Sequence, residues 1–440
     1  MILLKIFSLL LAFGAHAENL KYAKFGHVDI TRGAGEPERL VLFFNEGADP
    51  KSTGEVVKAL AEKNTVVAIV GKAFHGALLK RAKKTCVYPA GDLEELSKFV
   101  QTKLKFKEYR LPILVGFGAD AAIAYGAYAQ APKNTFAGAV SIGFCPRWQA
   151  AKSFCSDNGL KSTRAKVGFA FAPSGQPLPN WRVLGGGKAC ESTVKDFVAK
   201  VVGAKFHLPS GNLAEEVRAS AQEVHVAAAV VSPFKGDATI ESLPLVNIDP
   251  IGPPKGLVIF YSGDGGWAGF DQGVSAELSR AGNRVVGLSS LKYFWSAKAP
   301  ELATDDLAKI LRYFAKAKDT GPIRLVGYSF GADVMPEMVS RLPEGLRSQI
   351  KGVSLLGLSD SASFEFHFTD WMGSSEGGIP IEPAIKKISD KVKVRCLYGE
   401  EEDESLCPSL DAKKVEIFKL PGGHNFNDDS KGIARIILAP

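Results

Sequence analysis

The sequence predicts a secreted α/β protein built from two tandem copies of one domain, each with a mainly parallel sheet. Three observations support this prediction: a leader-like N-terminus, short apolar runs that alternate with helical stretches, and landmarks that recur in both halves of the 440 residues. Strands that alternate with helices indicate a parallel sheet covered by helices on both faces.

The N-terminus has the three parts of a secretory signal peptide. Met1–Lys5 carries a positive charge, Ile6–Phe13 is apolar, and Ala15-His16-Ala17 places small residues at a cleavage site. We therefore expect residues 1–17 to be removed and the mature chain to begin near Glu18, outside the cytoplasm. No later apolar run has the length of a membrane span, so a soluble mature chain is expected.

Four landmarks recur in the same order at an offset of 211 to 218 residues, which indicates a duplication. Continuous apolar runs of this kind are typical of strands buried on both faces. The pairs are Leu40–Phe44 and Leu257–Tyr261, Val66–Val70 and Arg284–Leu288, Pro112–Gly116 and Ile323–Gly327, and Phe206–Asn212 and Phe418–His424.

A proline-rich stretch separates the copies. Leu213–Val231 is predicted to be a helix that closes the first copy, and Ser232–Gly256 contains five prolines. Within that stretch, Leu243–Ile248 is the expected first strand of the second copy. We therefore place the domains at residues 18–232 and 233–440.

Net charge and cysteine content limit the kinds of protein that this chain can be. A net charge of +7 from 54 basic and 47 acidic residues does not indicate a nucleic-acid-binding protein; it fits plain solubility and is compatible with weak attraction to an anionic membrane. Six cysteines fit an oxidising compartment. Neighbours in sequence suggest Cys145–Cys155 and Cys396–Cys407, leaving Cys86–Cys190, although the sequence alone does not determine the pairing. No CxxC pair or Cys/His cluster has zinc-ligand spacing, so no metal site is expected. No cofactor is expected either.

Gly327-Tyr-Ser329-Phe330-Gly331 follows an apolar strand and precedes a helical stretch, which is the context of a nucleophile elbow. The sharp turn exposes the serine hydroxyl, and the Phe330 N–H can point at a developing oxyanion. Ser329 is therefore the predicted nucleophile.

A serine needs a base and an acid, which follow it in chain order in the α/β-hydrolase fold. His424 lies on a loop after the last apolar run and is the predicted base. The acid is expected in the loop Gly399–Glu404; Asp403 is preferred, Glu402 is the second choice and Asp360 the third.

The loop Ser262–Trp267 follows the first long strand of the second copy and should supply the second oxyanion donor, through the amide of Gly263 or Asp264. The carboxylates of Asp264 and Asp333 could bind a cationic group of a substrate. For Asp264, capping of the turn is an equally good interpretation.

The first copy lacks these groups. Gly118 stands at the position of Ser329, Asn212 at that of His424, and Gly185–Lys188 carries no carboxylate. The first copy is therefore predicted to be non-catalytic and to bind substrate, a partner or the membrane.

The leader, the duplication and three motifs together resemble the bacterial virulence protein VirJ/AcvB family of α/β-hydrolases. The resemblance covers nearly the whole mature chain. It implies a periplasmic protein of a Gram-negative bacterium that hydrolyses aminoacyl esters of phosphatidylglycerol, notably the lysyl form, and for some members a link to type IV secretion. The motifs are Phe260-Tyr-Ser-Gly-Asp-Gly-Gly-Trp267, Gly327-Tyr-Ser-Phe-Gly-Ala-Asp333 and Leu420-Pro-Gly-Gly-His424.

Two other functions stay open at this point: a periplasmic interaction protein that supports a secretion system, and an esterase acting on a soluble substrate. The expected partners are a membrane phospholipid and, as alternatives, the inner-membrane surface or secretion components, and no nucleic acid. The aromatic residues Phe364, Phe366, Phe368 and Trp371 could meet a lipid, but packing in a core or lid is the favoured interpretation. Lysyl and alanyl lipids are not distinguished.

Overall fold

The computed structural model describes residues 16–22, 25–45, 49–80, 85–156, 158–230, 240–316, 321–367 and 378–440. The chain divides into two compact units: Met1–Phe106, Arg110–Ala131 and Thr135–Ala229 form the first, and Lys107–Tyr109, Pro132–Asn134 and Val230–Pro440 form the second. The predicted signal peptide lies outside the described residues except for His16 and Ala17, which begin the first strand.

The first unit contains an eight-stranded sheet in the order β1-β2-β4-β3-β6-β7-β12-β13. A small three-stranded sheet, β10-β11-β8, and a short β5-β9 pair lie outside it. The strands are β1 His16–Tyr22, β2 Gly26–Arg32, β3 Arg39–Phe44, β4 Thr65–Val70, β5 Cys86–Val87, β6 Ile113–Phe117, β7 Gly138–Phe144, β8 Arg147–Trp148, β9 Ser153–Phe154, β10 Ser162–Arg164, β11 Phe169–Phe171, β12 Trp181–Gly186 and β13 Lys205–His207. The helices are α1 Pro50–Leu60, α2 Lys72–Lys80, α3 Pro89–Lys103, α4 Ala121–Gln130, α5 Glu191–Ala199 and α6 Leu213–Val230.

The second unit contains a seven-stranded sheet in the order β14-β16-β15-β17-β18-β21-β22. Its strands are β14 Leu245–Ile248, β15 Gly256–Tyr261, β16 Asn283–Leu288, β17 Ile323–Tyr328, β18 Ile350–Leu356, β21 Lys393–Gly399 and β22 Val415–Leu420, and β19 Ser361–Ala362 pairs with β20 Ile379–Pro380. The helices are α7 Gly269–Arg280, α8 Ser290–Tyr293, α9 Pro300–Ala315, α10 Phe330–Arg341, α11 Glu344–Arg347, α12 Glu382–Ser389 and α13 Ser430–Leu438.

Alternation along the strands explains why helices cover both faces of the second sheet. In β15, Leu257 and Ile259 belong to one buried cluster, whereas Val258 and Phe260 belong to another. The first cluster also contains residues of α9, α10 and α12, and the second contains residues of α7 and α13. A strand buried on both faces has to be apolar throughout, as the sequence of β15 is.

The two sheets share one topology. From β2 onward, the order of the strands in the first sheet is the same as the order of the strands in the second. In each sheet the first strand of this order, β2 or β14, is antiparallel to its neighbour, and the strands that follow are parallel. β3 corresponds to β15, β6 to β17 and β12 to β21. The prediction of two tandem domains with mainly parallel sheets is therefore confirmed.

The disulfides correct part of the predicted pairing. Cys396–Cys407 is present, but the other two bonds are Cys86–Cys155 and Cys145–Cys190, so the proposed Cys145–Cys155 and Cys86–Cys190 pairs were wrong. Pairing of β5 with β9 brings Cys86 to Cys155, and the parallel pairing of β7 with β12 brings the ends of both strands, and the cysteines that follow them, together.

None of the helices in the described parts of the chain is both long and apolar enough to cross a membrane.

Peptide mapping tests the disulfide set. Digestion of the unreduced protein should yield three linked peptide pairs, Cys86 with Cys155, Cys145 with Cys190 and Cys396 with Cys407, because the fold places the Cα atoms of each pair 4.9 to 5.5 Å apart. Thiol labelling of the denatured, unreduced protein should find no reactive cysteine. A peptide pair linking Cys145 to Cys155 would contradict the observed register.

Candidate active site

Ser329 lies in a sharp turn between β17 and α10. Its backbone has φ 51° and ψ −122°, a conformation that costs free energy for a residue with a side chain. A Cβ on Gly327 would lie 2.3 Å from the Gly331 carbonyl oxygen, and one on Gly331 would lie 2.3 Å from that of Tyr261. Both glycines are therefore required for the close packing of helix on strand that holds the serine in place.

Hydrogen bonds on both sides fix this turn. The Ser329 N–H donates to the Leu356 carbonyl at 2.8 Å, and the Ser329 carbonyl accepts from the Ala332 N–H at 2.7 Å. Phe330 is the first residue of α10, so the helix supplies no acceptor for its N–H. The geometry leaves this amide beside the serine, where the sequence predicts an oxyanion donor.

His424 lies in the turn after β22. Its Nδ1 is hydrogen-bonded to Glu402 Oε1 at 2.5 Å, and its carbonyl accepts from the Tyr328 hydroxyl at 3.3 Å. The imidazole ring packs on Gly357, where a Cβ would be 2.6 Å from the ring. Gly357 directly follows Leu356, the residue that accepts from the Ser329 N–H, so serine and histidine lie at the same end of the sheet.

The acid that contacts His424 is Glu402, and the preference for Asp403 was wrong. Asp403 and Asp360 are exposed, whereas Glu402 is half-buried and its second oxygen accepts from the Gly399 N–H at 2.5 Å. The turn after β21 therefore directs the carboxylate at position 402 inward. Five consecutive acids carry no periodic pattern that would have identified it.

Within the described residues, the Ser329 hydroxyl and the His424 ring are not hydrogen-bonded to each other. Catalytic hydrogen bonds are often long without substrate and tighten in the complex. With Nδ1 engaged by Glu402, Nε2 is the nitrogen left to accept the serine proton.

Opposing effects set the charge states of this pair. Partial burial lowers the pKa of His424, but the hydrogen bond and charge of Glu402, with the charges of Asp264 and Asp333, outweigh it and raise that pKa above its ordinary value. For Glu402, partial burial raises the pKa, but the bonds from His424 and the Gly399 N–H outweigh it, and the pKa falls below its ordinary value. Glu402 thus favours the imidazolium that forms when the serine gives up its proton.

The structure brings Asp264 and Asp333 to the neighbourhood of His424. Asp333 is also a structural link, since its Oδ1 accepts from the Ser359 N–H at 2.8 Å and ties α10 to the segment after β18. Burial raises the pKa of Asp333 to about 7, against the effects of Ser359 and His424. Asp264 is half-buried on the loop after β15.

Gly263 passes beside the nucleophile, because a Cβ there would lie 3.4 Å from Ser329 Cβ. Its N–H, however, interacts with the buried carboxyl of Asp271, whose pKa is raised by burial to about 7 and lowered in part by this amide. This orientation favours the Asp264 amide, the other predicted candidate, as the second oxyanion donor.

Three residues that support the site could not be predicted from the sequence. Gly357 has φ 64° and makes room for the histidine ring. The buried Ser262 hydroxyl accepts from the Ser290 N–H at 3.0 Å and holds the loop after β15, and Asp271 accepts from the Ala268 N–H at 3.2 Å. Single glycines, serines and aspartates of this kind carry no sequence signal, because their role depends on neighbours distant in the chain.

The other predicted positions fall elsewhere. Phe364 and Phe366 are buried, in agreement with packing in a core, whereas Phe368 and Trp371 lie outside the described residues.

In the first unit Gly118 keeps the left-handed backbone of the elbow, with φ 62°, and the Asn212 side chain accepts from the Ala214 N–H at the start of α6. The turn is thus retained where the nucleophile and base are absent.

In the part of the chain that the structure describes, no group of three or more His, Cys, Asp or Glu side chains could hold a metal ion. The assembled groups are a serine, a histidine, a carboxylate and backbone amides, which suit acyl transfer through a covalent intermediate.

A family model matches part of the chain. Residues 255–440 match the family model described as "Bacterial virulence protein (VirJ)". No curated protein matches the sequence.

Several solved structures are similar to part of the chain. Est1E from Butyrivibrio proteoclasticus is 13% identical over 44% of this chain and 90% of its own, with a TM-score of 0.32. A putative thioesterase from Silicibacter sp. is 22% identical over 48% of this chain and 84% of its own, with a TM-score of 0.33. A putative dienelactone hydrolase from Klebsiella pneumoniae is 15% identical over 44% of this chain and 89% of its own, with a TM-score of 0.31. Likeness at this level carries no functional conclusion, which has to come from the geometry of the site.

Substitution of the two neighbouring acids tests the assignment of Glu402. Glu402→Gln should lower kcat/KM for a small ester on the order of 10³-fold, because the histidine loses the charge that stabilises its imidazolium. The matched control, Asp403→Asn, should stay within about twofold of the parent protein, since an exposed surface substitution is normally close to neutral. The reverse ranking of the two variants would return the role to Asp403.

The pH profile tests the electrostatics. His424 must be neutral to accept the serine proton, so kcat/KM should rise with pH through a midpoint above the ordinary histidine value of 6.5. Asp264→Asn removes a negative charge that favours the imidazolium, so the pKa of His424 should fall and the midpoint should move to lower pH. The profile should be recorded with an uncharged small ester, which does not need Asp264 for binding. A midpoint that stays in place or rises would show that Asp264 does not act on His424.

Proposed function

We propose that the second unit, in which residues 255–440 match the model of the bacterial virulence protein (VirJ) family, is a serine hydrolase that cleaves the aminoacyl ester of phosphatidylglycerol. The products are a free amino acid and phosphatidylglycerol, and lysyl and alanyl lipids are both candidate substrates. The proposal takes its substrate class from the family resemblance and its chemistry from the site.

The observation that carries the hydrolase is the strained Ser329 at the same sheet end as the His424–Glu402 pair. A left-handed backbone at a residue with a side chain persists only where surrounding contacts enforce it, and such strain concentrates at functional sites. The first unit supports this interpretation, because the same position there holds a glycine, which adopts the turn without strain.

In the proposed reaction, Ser329 Oγ attacks the ester carbonyl while His424 Nε2 takes the hydroxyl proton. The oxyanion of the tetrahedral intermediate accepts from the amides of Phe330 and the loop after β15. The carbon–oxygen bond to the lipid glycerol then breaks, and the leaving oxygen takes the proton from His424. A water molecule, deprotonated by His424, cleaves the aminoacyl-serine ester and releases the amino acid.

The acidic surroundings of His424 support a substrate with a positive charge near the ester. An aminoacyl ester carries an α-ammonium group two bonds from its carbonyl carbon, and the half-buried Asp264 on the loop after β15 is suited to pair with it. Such a pair would be only partly screened by solvent and so would discriminate against uncharged acyl groups.

The proposed compartment is the periplasm. Three disulfides persist in an oxidising environment, and the predicted signal peptide would export the chain to one.

Vesicle assays with the full mature chain test this function. Release of lysine from lysylphosphatidylglycerol vesicles should depend on Ser329, and Ser329→Ala should reduce it to background, because the corresponding position of the first unit holds Gly118. Asp264→Asn should lower kcat/KM about tenfold or more for lysyl and alanyl lipids but much less for an uncharged short-chain ester.

Three outcomes would contradict the proposal in different ways. Turnover of the soluble ester without any turnover of the lipid would favour an esterase on a soluble substrate. No Ser329-dependent hydrolysis of either would favour an interaction protein. Residual hydrolysis in a folded Ser329→Ala protein would place a nucleophile elsewhere.

A further inference from the structure

A small antiparallel sheet of the first unit, β10-β11-β8, lies in a segment that is rich in basic side chains. Residues 147–171, which we call the basic sheet, contain five basic side chains and one acidic one, Asp157, which lies outside the described residues. Of the five, four are exposed: Arg147, Lys161, Arg164 and Lys166. Most protein surfaces intersperse both signs, so a segment of this composition is a local positive field.

Among the residues that the structure describes, which do not include Asp157, no carboxylate is ion-paired with Arg147, Lys161 or Lys166. Arg164 lies over the Phe169 ring at 4.9 Å, an interaction that leaves its charge in place. Elsewhere in the unit basic residues are paired with acids, as Arg182 is with Glu223 at 3.0 Å.

An apolar side chain stands among these charges. Val167 is 66% exposed in the turn between β10 and β11, next to Lys166. The turn is closed by a hydrogen bond from the Ala165 N–H to the Gly168 carbonyl at 3.0 Å. A projecting apolar residue flanked by cations suits the boundary between lipid headgroups and acyl chains.

The basic sheet is held rigidly at its base. Trp148 and Phe171 each pack edge-on against Phe154, both at 5.3 Å between ring centroids. The Tyr125 hydroxyl donates to the Ala172 carbonyl at 3.0 Å. Both disulfides of the first unit anchor this region, through Cys145 just before β8 and Cys155 just after β9. Little ordering would therefore be needed when this surface binds a partner.

We propose that the basic sheet docks the first unit on an anionic phospholipid surface. Its positive charge is complementary to the negative charge of phosphatidylglycerol headgroups. Each Lys or Arg side chain close to such a membrane surface makes the free energy of binding more favourable. Val167 enters the headgroup region at the centre of the contact. The inference goes beyond the proposed hydrolase and gives the non-catalytic unit a role, since it would keep the chain at the membrane where a lipid ester resides.

Vesicle co-sedimentation of the full mature chain tests this. Binding to vesicles of equal phosphatidylglycerol and phosphatidylethanolamine should exceed binding to phosphatidylcholine vesicles and should weaken with added salt. The triple variant Arg147→Gln, Lys161→Gln, Lys166→Gln should bind the anionic vesicles at least about tenfold more weakly.

A matched variant controls for net charge. Lys51→Gln, Lys58→Gln, Lys63→Gln removes the same charge from exposed positions on or just after α1, and it should bind within about twofold of the parent protein if charge far from the contact is screened. Circular dichroism and hydrolysis of a soluble ester should be unchanged in both variants, which separates a docking defect from failure of the fold or of the hydrolase.

Three results would overturn the proposal. They are equal binding of the parent protein to anionic and neutral vesicles, parent-like binding by the basic-sheet variant, and an equal loss in the α1 variant. With the first or second result, the exposed cations would be free to serve an acidic protein partner instead.

Discussion

The close approach of α10 to β15 and β17 is the constraint on which the second unit depends. Gly327 and Gly331 have no room for a side chain, and this contact bends the chain so sharply that Ser329 takes a left-handed backbone. The strain is offset by packing in the two cores on either side of the sheet, which contain α9, α10 and α12 on one face and α7 and α13 on the other. A serine on a relaxed turn would not project from the sheet end in this way.

His424 and Glu402 lie at the same end of the sheet as Ser329. The Ser329 N–H donates to the carbonyl of Leu356 at the end of β18. The ring of His424 packs on Gly357, the next residue, and its partner Glu402 follows β21. Parallel strands end side by side, so loops far apart in sequence meet there. The negative charges near His424 follow from this convergence, and they raise the pKa of its imidazole.

Duplication let the two units diverge without loss of fold. Topology and the left-handed turn at Gly118 persist in the first unit, while the serine and histidine positions hold Gly118 and Asn212. Catalytic groups lie on loops at the sheet edge and contribute little to the core, so their loss leaves the fold intact. In the first unit the connection from β7 to β12 forms the basic sheet, whereas the corresponding connection in the second unit contains α12.

The sequence by itself predicted the two mainly parallel sheets, the sharp turn at Ser329 and the position of His424 after the last strand, because each of these is encoded locally by apolar runs, glycine spacing and chain order. It also indicated that three disulfides form and identified Cys396–Cys407, whose cysteines are close in the chain. Only the tertiary structure decided between Glu402 and Asp403, paired Cys86 with Cys155 and Cys145 with Cys190, and placed Gly357 beneath the histidine. Each of these depends on which loops meet after the strands align, and strand register is set by contacts between residues far apart in sequence, which no local pattern records.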